Sequence, residues 1–292
     1  MNELQKRALL YGSAVVVLGA IGATARFWRA DADVTTLLSS ADVQLRMAYV
    51  LPFVDKHGTV MTSREEMIAS AEKHLGDVEC IQPGMAITAE FRGFAHMLRG
   101  QFEQAADAYD RARRAADCQD EQRDVLAFNQ ARMLAKAGQS QQALAVFAQN
   151  AKALDARFGH QRALEEATIL RELGRRPDAV QRLDGVLRDS AAMPMASLQA
   201  GVEYLELGLE DQAEKALQRA AADVPIADYH LARLKLQRGD VDTCMQLLAR
   251  ANAARPAEVR QRLSEDAAAW STVSADARFQ QLVGSQPAAP MR

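Results

Sequence analysis

A glycine recurs along this chain at a nearly fixed interval, in the same company each time. Gly100, Gly138, Gly174, Gly208 and Gly239 stand 38, 36, 34 and 31 residues apart. Seven residues before them are Gly93, Ala131, Ala167, Gly201 and Ala232, all small. Five residues after them are Ala105, Ala143, Ala179, Ala213 and Cys244. Nine residues after come the bulky groups Tyr109, Phe147, Leu183, Leu217 and Leu248. A period of about 34 residues built this way belongs to stacked helix–turn–helix units, which bury a continuous core only by stacking. Each offset has a mechanical reading. The glycine ends the first helix in a left-handed conformation that satisfies orphan carbonyls without a Cβ penalty. The small residues mark close helix crossings, and the bulky one fills the core between units. Twelve past the glycine stand Ala112, Asn150, Val186, Ala220 and Ala251; seventeen past stand Asp117, Asp155, Ala191, Pro225 and Pro256. Proline at that point stops the second helix and starts the next unit.

With the register in hand, residues 86–258 resemble the tetratricopeptide repeat (TPR) family. GFAHMLRGQFEQAADAYDRARRA and GVEYLELGLEDQAEKALQRAAADVP carry the resemblance best. Lys235 and Asn150 depart from the family's pattern, the first in an apolar place and the second in a small one. The resemblance implies an all-α chain. It would be a right-handed superhelical solenoid of about five TPR-like hairpins, with an N-terminal helical pair and C-terminal capping helices. No sheet is expected, because no stretch alternates as a strand does.

The amino end reads differently. Lys6 and Arg7 precede an uncharged run over residues 8–25, and Arg26, Phe27, Trp28 and Arg29 follow it. A run of this length reaches the lower range of a membrane span, with basic and aromatic groups suited to the headgroups. The leading expectation is a segment over 1–29 anchoring a single-pass protein in a bacterial inner membrane, with the repeats in the periplasm. A cleaved signal is the alternative, since Ala23-Thr24-Ala25 is an A-x-A site; it would leave a soluble periplasmic protein. A buried soluble helix is the third reading.

Residues 30–85 are expected to hold a linker (30–39) and a degenerate helical pair. The first helix covers about 40–51, with Val43, Met47 and Val50 on one face. Lys56-His57-Gly58 is turn-like. Ser63 and Glu66 form a capping box before a helix carrying Met67, Ile68, Ala71, Leu75 and Val78. Beyond the repeats, 259–284 reads as capping helices through Val259, Leu263, Ala267 and Trp270, then Phe279, Leu282 and Val283. The tail 285–292 reads as disordered.

The chain carries no recognisable chemistry. Its five histidines are scattered, and no pair stands at zinc spacing. There is no C-x-x-C, nucleophile elbow, Walker loop or Rossmann fingerprint. No catalytic residue, metal, cofactor or small-molecule substrate is indicated. A net charge of −3 supplies no basic field for nucleic acid, and Arg111, Arg113 and Arg114 read as a solvated outer face. Cys244 fills a small crossing position as a buried thiol. Cys80 and Cys118 flank the first clear repeat; an antiparallel hairpin brings its two ends together, so they are either a disulfide or two unrelated thiols.

In the resembled family the first helix of each unit lines the binding groove. The register places Glu90, Phe94 and Met97 there, then Phe128, Asn129 and Arg132. Leu164, Thr168 and Arg171 follow, then Leu198, Val202 and Leu205, and finally Tyr229 and Arg233. Family members that clamp a C-terminal carboxylate share a Lys and Asn pair where this chain has Glu90 and Phe94, so that activity is not implied. An amphipathic helix or extended apolar segment of a protein partner is the expected occupant. The alternative is that some of these residues pack on the chain's own terminal helices. The expected function is a non-catalytic protein-interaction scaffold at the envelope. Its rivals are a periplasmic binding or chaperone-like protein and an accessory subunit of an envelope enzyme complex.

Overall fold

The computed structural model describes residues 32–50, 53–54, 60–189 and 193–284. It is an all-α repeat fold of paired helices. The described chain divides into two compact units, one ending at Arg157 and the other beginning at Phe158. In the first, helix α1 (Ala32–Val50) leads through a short ribbon, β1 (Phe53–Val54) and β2 (Val60–Thr62), to α2 (Arg64–Ile81). The hairpins α3 (Ala86–Leu98) with α4 (Phe102–Arg114) and α5 (Asp120–Lys136) with α6 (Ser140–Gln149) follow. A run of helix, α7 (Ala151–Glu172), breaks at Phe158, whose φ of −131° and ψ of 22° are not helical. Next come α8 (Arg176–Asp189), α9 (Pro194–Glu206) and α10 (Glu210–Ala221). The described chain ends with α11 (Ile226–Gln237), α12 (Val241–Ala254), α13 (Pro256–Glu265), a 3-10 turn (Ala267–Val273) and α14 (Ala277–Gly284).

The glycine register is realised at every copy. The five glycines have φ between 67° and 78°. After each first helix the same pair of hydrogen bonds closes the end. At Gly100, for example, Gln101 N–H donates to His96 O at 2.9 Å and Gly100 N–H to Met97 O at 3.0 Å. That is the Schellman arrangement, which a left-handed residue completes. The small residues explain the packing. A Cβ on Gly93 would lie 2.8 Å from the Tyr109 ring, and one on Gly201 would lie 2.7 Å from Leu217. The small and bulky offsets are therefore one contact, in which the second helix's large side chain lies on the first helix's bare backbone. Asn150 ends α6 by donating its side chain to Val146 O at 2.7 Å, which accounts for a polar group at a small position. Lys235 is paired with Glu214.

Several expectations are corrected. The first helix begins at Ala32, so residues 32–39 are helix and not linker. Its buried face is Val34, Ala41, Leu45 and Ala48, while Val43 and Val50 are 53% and 39% exposed. The two alanines permit close approach to α2, and that steric fit outweighs the larger apolar stripe. The β1–β2 ribbon departs from the expectation of no sheet; Phe53 pairs with Thr62 and Val54 with Val60, antiparallel. The Ser63 capping box forms, with Glu66 N–H donating to Ser63 Oγ at 3.1 Å and Ser63 N–H to Glu66 Oε2 at 2.8 Å. The turn at 56–58 and the tail 285–292 lie outside the described residues.

The single-pass inner-membrane placement is also corrected. No helix among the described residues is long and apolar enough to cross a membrane. The run over 8–25, on which that expectation and the periplasmic placement rested, lies outside the described residues.

The core of the N-terminal helices joins α1, α2 and α3 through Leu45, Ile68, Leu75, Phe91 and Phe94. In the second unit one cluster runs from Leu198 through Leu217, Tyr229 and Leu248 to Trp270 and Phe279. The C-terminal cap thus covers α11 and α12. Trp270 stacks on Phe279 with centroids 5.9 Å apart and rings 22° from parallel.

Candidate functional site

The positions expected to face inward in the first unit lie on α3 and α5. Glu90, on α3, is 5% exposed. Its Oε2 accepts a hydrogen bond of 2.7 Å from Gln122 Nε2 on α5. Burial pushes its carboxyl up to about 7; the Gln122 bond opposes this and the nearby Asp42 charge adds to it. Phe94 is buried against α1, its ring tilted on Tyr49 with centroids 6.2 Å apart. Met97, half-buried, packs on the same cluster. Phe128 and Asn129 are buried on α5. Phe128 meets Phe147 at 5.9 Å, and the Arg132 guanidinium lies over its ring at 5.8 Å. Arg132 itself stays half-buried.

In the second unit Leu164 and Leu198 are buried. Between them Glu203 on α9 gathers two donors from α7: Thr168 Oγ1 at 2.9 Å and Arg171 Nε at 3.0 Å. Val202 and Leu205 are half-buried beside them. Tyr229 is fully buried. Its hydroxyl donates to Asp266 Oδ2 at 2.8 Å and accepts from Trp270 Nε1 at 3.1 Å. Arg233 reaches the same Asp266 carboxylate at 3.3 Å. Next to them burial, with Arg262 and Arg233 adding to it, holds the His230 imidazole down at about 3, so it is neutral. These are the contacts of a cap.

The structure gives many of the sequence-derived residues packing partners within the chain. Phe94 is covered by α1, and Tyr229 by the 3-10 turn. Met97, Arg132, Arg171, Val202 and Arg233 keep accessible surface. Sequence reading missed Gln122, Glu203 and Asp266, the polar partners that fix Glu90, Arg171 and Tyr229. Each lies about one repeat from its partner, and the register singles out no polar position.

Cys80, Cys118 and Cys244 are free thiols, Cys80 exposed and the others buried. Cys118 Sγ donates to Gln119 O at 3.7 Å, and burial pushes its thiol above the ordinary value. In place of a bond across this end of the hairpin, the Asp117 carboxylate accepts from Ala86 N–H at 3.0 Å and caps α3. On the outer face Arg113 and Arg114 pair with Asp110. Among the described residues no group of His, Cys, Asp and Glu is arranged to hold a metal ion.

No family model matches this sequence, and no curated protein does. Solved structures do. The C-terminal part of a TPR repeat-containing protein from Cytophaga hutchinsonii aligns with a TM-score of 0.54 at 14% identity, over 87% of this chain and 96% of that one. A Rap protein complexed with Competence and Sporulation Factor aligns at 0.53 and 16% identity, over 97% of this chain and 86% of that one. A chain of the APC/C Cut9–Hcn1 hetero-tetramer gives 0.46 at 12% identity; the match covers 84% of this chain but only 42% of that one. The fold is TPR-like.

Proposed function

We propose that this chain is a non-catalytic protein-interaction module. Its helix pairs hold a segment of a protein partner against the first helices of the repeats. The observation that supports the reading is that partly exposed side chains recur at the register positions expected to face inward, Met97 and Arg132 in the first unit and, separately, Arg171, Val202 and Arg233 in the second. Arginine over an aromatic ring, flanked by half-buried aliphatic groups, suits a segment that offers both apolar and acidic side chains. The Rap chain of similar fold was solved in complex with Competence and Sporulation Factor, which supports reading such a fold as a holder of another molecule. Glu90 and His230, both displaced from their ordinary titration by burial, are enclosed by the chain's own packing, which supports a structural role for both.

The test is affinity capture from the native source with Val202→Asp and Arg171→Glu variants against wild type. Loss of one defined partner from the variants, with helical circular dichroism retained, supports the reading. Equal recovery of every partner by both variants refutes it.

A further inference from the structure

An open depression of about 740 Å³ lies on the second unit, away from the inner positions. Its wall is the outer side of α8, with Pro177, Val180, Asp184, Leu187 and Arg188, closed on one side by Arg219 from α10. Both are second helices of their hairpins. Val180 and Leu187 are half-buried. They stand seven residues apart, so they share a face two turns long, about 10 Å.

The rim brings together two arginines that no carboxylate among the described residues matches. Most arginines of this unit are matched to carboxylates: Arg171 to Glu203, Arg175 to Asp178, Arg182 to Glu166, Arg250 to Asp228 and Arg278 to Asp242. Arg188 and Arg219 are not. Among the described residues Arg219 donates only to Leu187 O, at 2.8 Å, and Arg188 only to Asp184 O, at 3.4 Å. A guanidinium has five N–H donors in a planar fork, so each keeps most of its capacity. The one carboxylate on the rim, Asp184, already accepts from Tyr204 at 2.6 Å. The rim therefore carries an excess of positive charge beside an apolar strip.

We infer that this depression is a second docking surface, for a short protein segment in which an apolar side chain lies within a turn of an aspartate or glutamate. The apolar group would rest on Val180 and Leu187, and the carboxylate would take the forks of Arg188 and Arg219. Charge complementarity selects the occupant: a basic segment would meet two guanidiniums, and a wholly apolar one would leave both without a counter-ion. The site stands apart from the inner-face reading, so either can fail alone.

The probe is a random peptide display library selected on the full chain. The expected result is enrichment of peptides joining Leu, Ile, Phe or Met to Asp or Glu. Their binding should fall about tenfold or more in Arg188→Ala/Arg219→Ala, as expected for losing a charge-assisted hydrogen bond. The Arg188→Glu/Arg219→Glu chain should instead enrich Lys and Arg. Circular dichroism checks that the variants fold. Should they not, hydrogen exchange on wild type decides: a selected peptide must slow exchange in residues 177–188. Four results overturn the proposal: enriched peptides without acidic residues, unchanged selection by the charge-reversed chain, equal displacement by inorganic phosphate or a thymidine oligonucleotide, or self-association of the chain that the alanine variants abolish.

Discussion

Glu90→Gln should stabilise this protein at neutral pH and do almost nothing in acid. Glu90 is enclosed by α1, α3, α4 and α5, with Asp42, Tyr109 and Gln122 as its electrostatic and hydrogen-bonding neighbours. Its carboxyl rises from 4.5 to about 7 on folding. The sign follows from linkage. Below pH 4.5 the group is protonated in both states and costs nothing. Between 4.5 and about 7 the unfolded chain loses the proton while the folded chain keeps it, so stability falls as pH rises. Above about 7 the loss is complete. At about 1.4 kcal/mol for each pH unit that separates the folded from the unfolded value, the loss amounts to about 3 kcal/mol as an upper figure. Glutamine keeps an acceptor for Gln122 and removes the titration. The stability difference between variant and wild type should therefore grow from near zero at about pH 4.5 towards about 3 kcal/mol at about pH 8. Urea denaturation followed by circular dichroism measures it. Hydrogen exchange of residues 86–98 localises it, since repeat units report local as well as global stability. Asp42→Asn should shift the wild-type transition to lower pH. A variant difference that is constant across this range, or wild-type stability that rises with pH where the variant's does not, would refute the reasoning.

Gly93→Ala and Gly201→Ala should each cost about 1–3 kcal/mol in thermal or urea unfolding, because the new methyl meets Tyr109 or Leu217 below 3 Å. Gly185→Ala, in α8 with open space around it, should instead stabilise by about 0.5–1 kcal/mol, which makes it the control. Gly138→Ala has room, but its φ of 77° should make it cost about 1 kcal/mol or more, measured in the same way. Tyr229→Phe should leave the Trp270 Nε1–H without its acceptor and cost about 1–3 kcal/mol, seen as faster exchange in residues 256–273.

The repeat was legible because its residues act through backbone geometry and volume. A left-handed glycine, a bare backbone and a bulky side chain laid on it are constraints that composition displays directly. The same logic found the Ser63 box, while the single helix read through Val259, Leu263, Ala267 and Trp270 ends at Glu265 and leaves Trp270 on the 3-10 turn. What escaped is what depends on which of two faces a neighbour chooses. In α1 the larger apolar stripe, Val43 and Val50, lost to Val34, Ala41, Leu45 and Ala48, because alanines admit a closer partner. The register did not show that α1 would cover Phe94 or that Asp266 and Trp270 would enclose Tyr229; those contacts join elements outside the repeat. The depression beside Arg188 and Arg219 needed the pairing state of each arginine, which no single sequence displays.

The central claim is that the partly exposed inner positions hold a protein partner. Photo-crosslinking residues placed at Val202 and Arg233, and at Gln246 on the exposed side of α12 as a reference, test it most directly in the native extract. The account predicts that Val202 and Arg233 crosslink to one defined segment of the same partner while Gln246 does not. Adducts from Gln246 alone, or none from Val202 and Arg233 under conditions where the partner co-purifies, would contradict it.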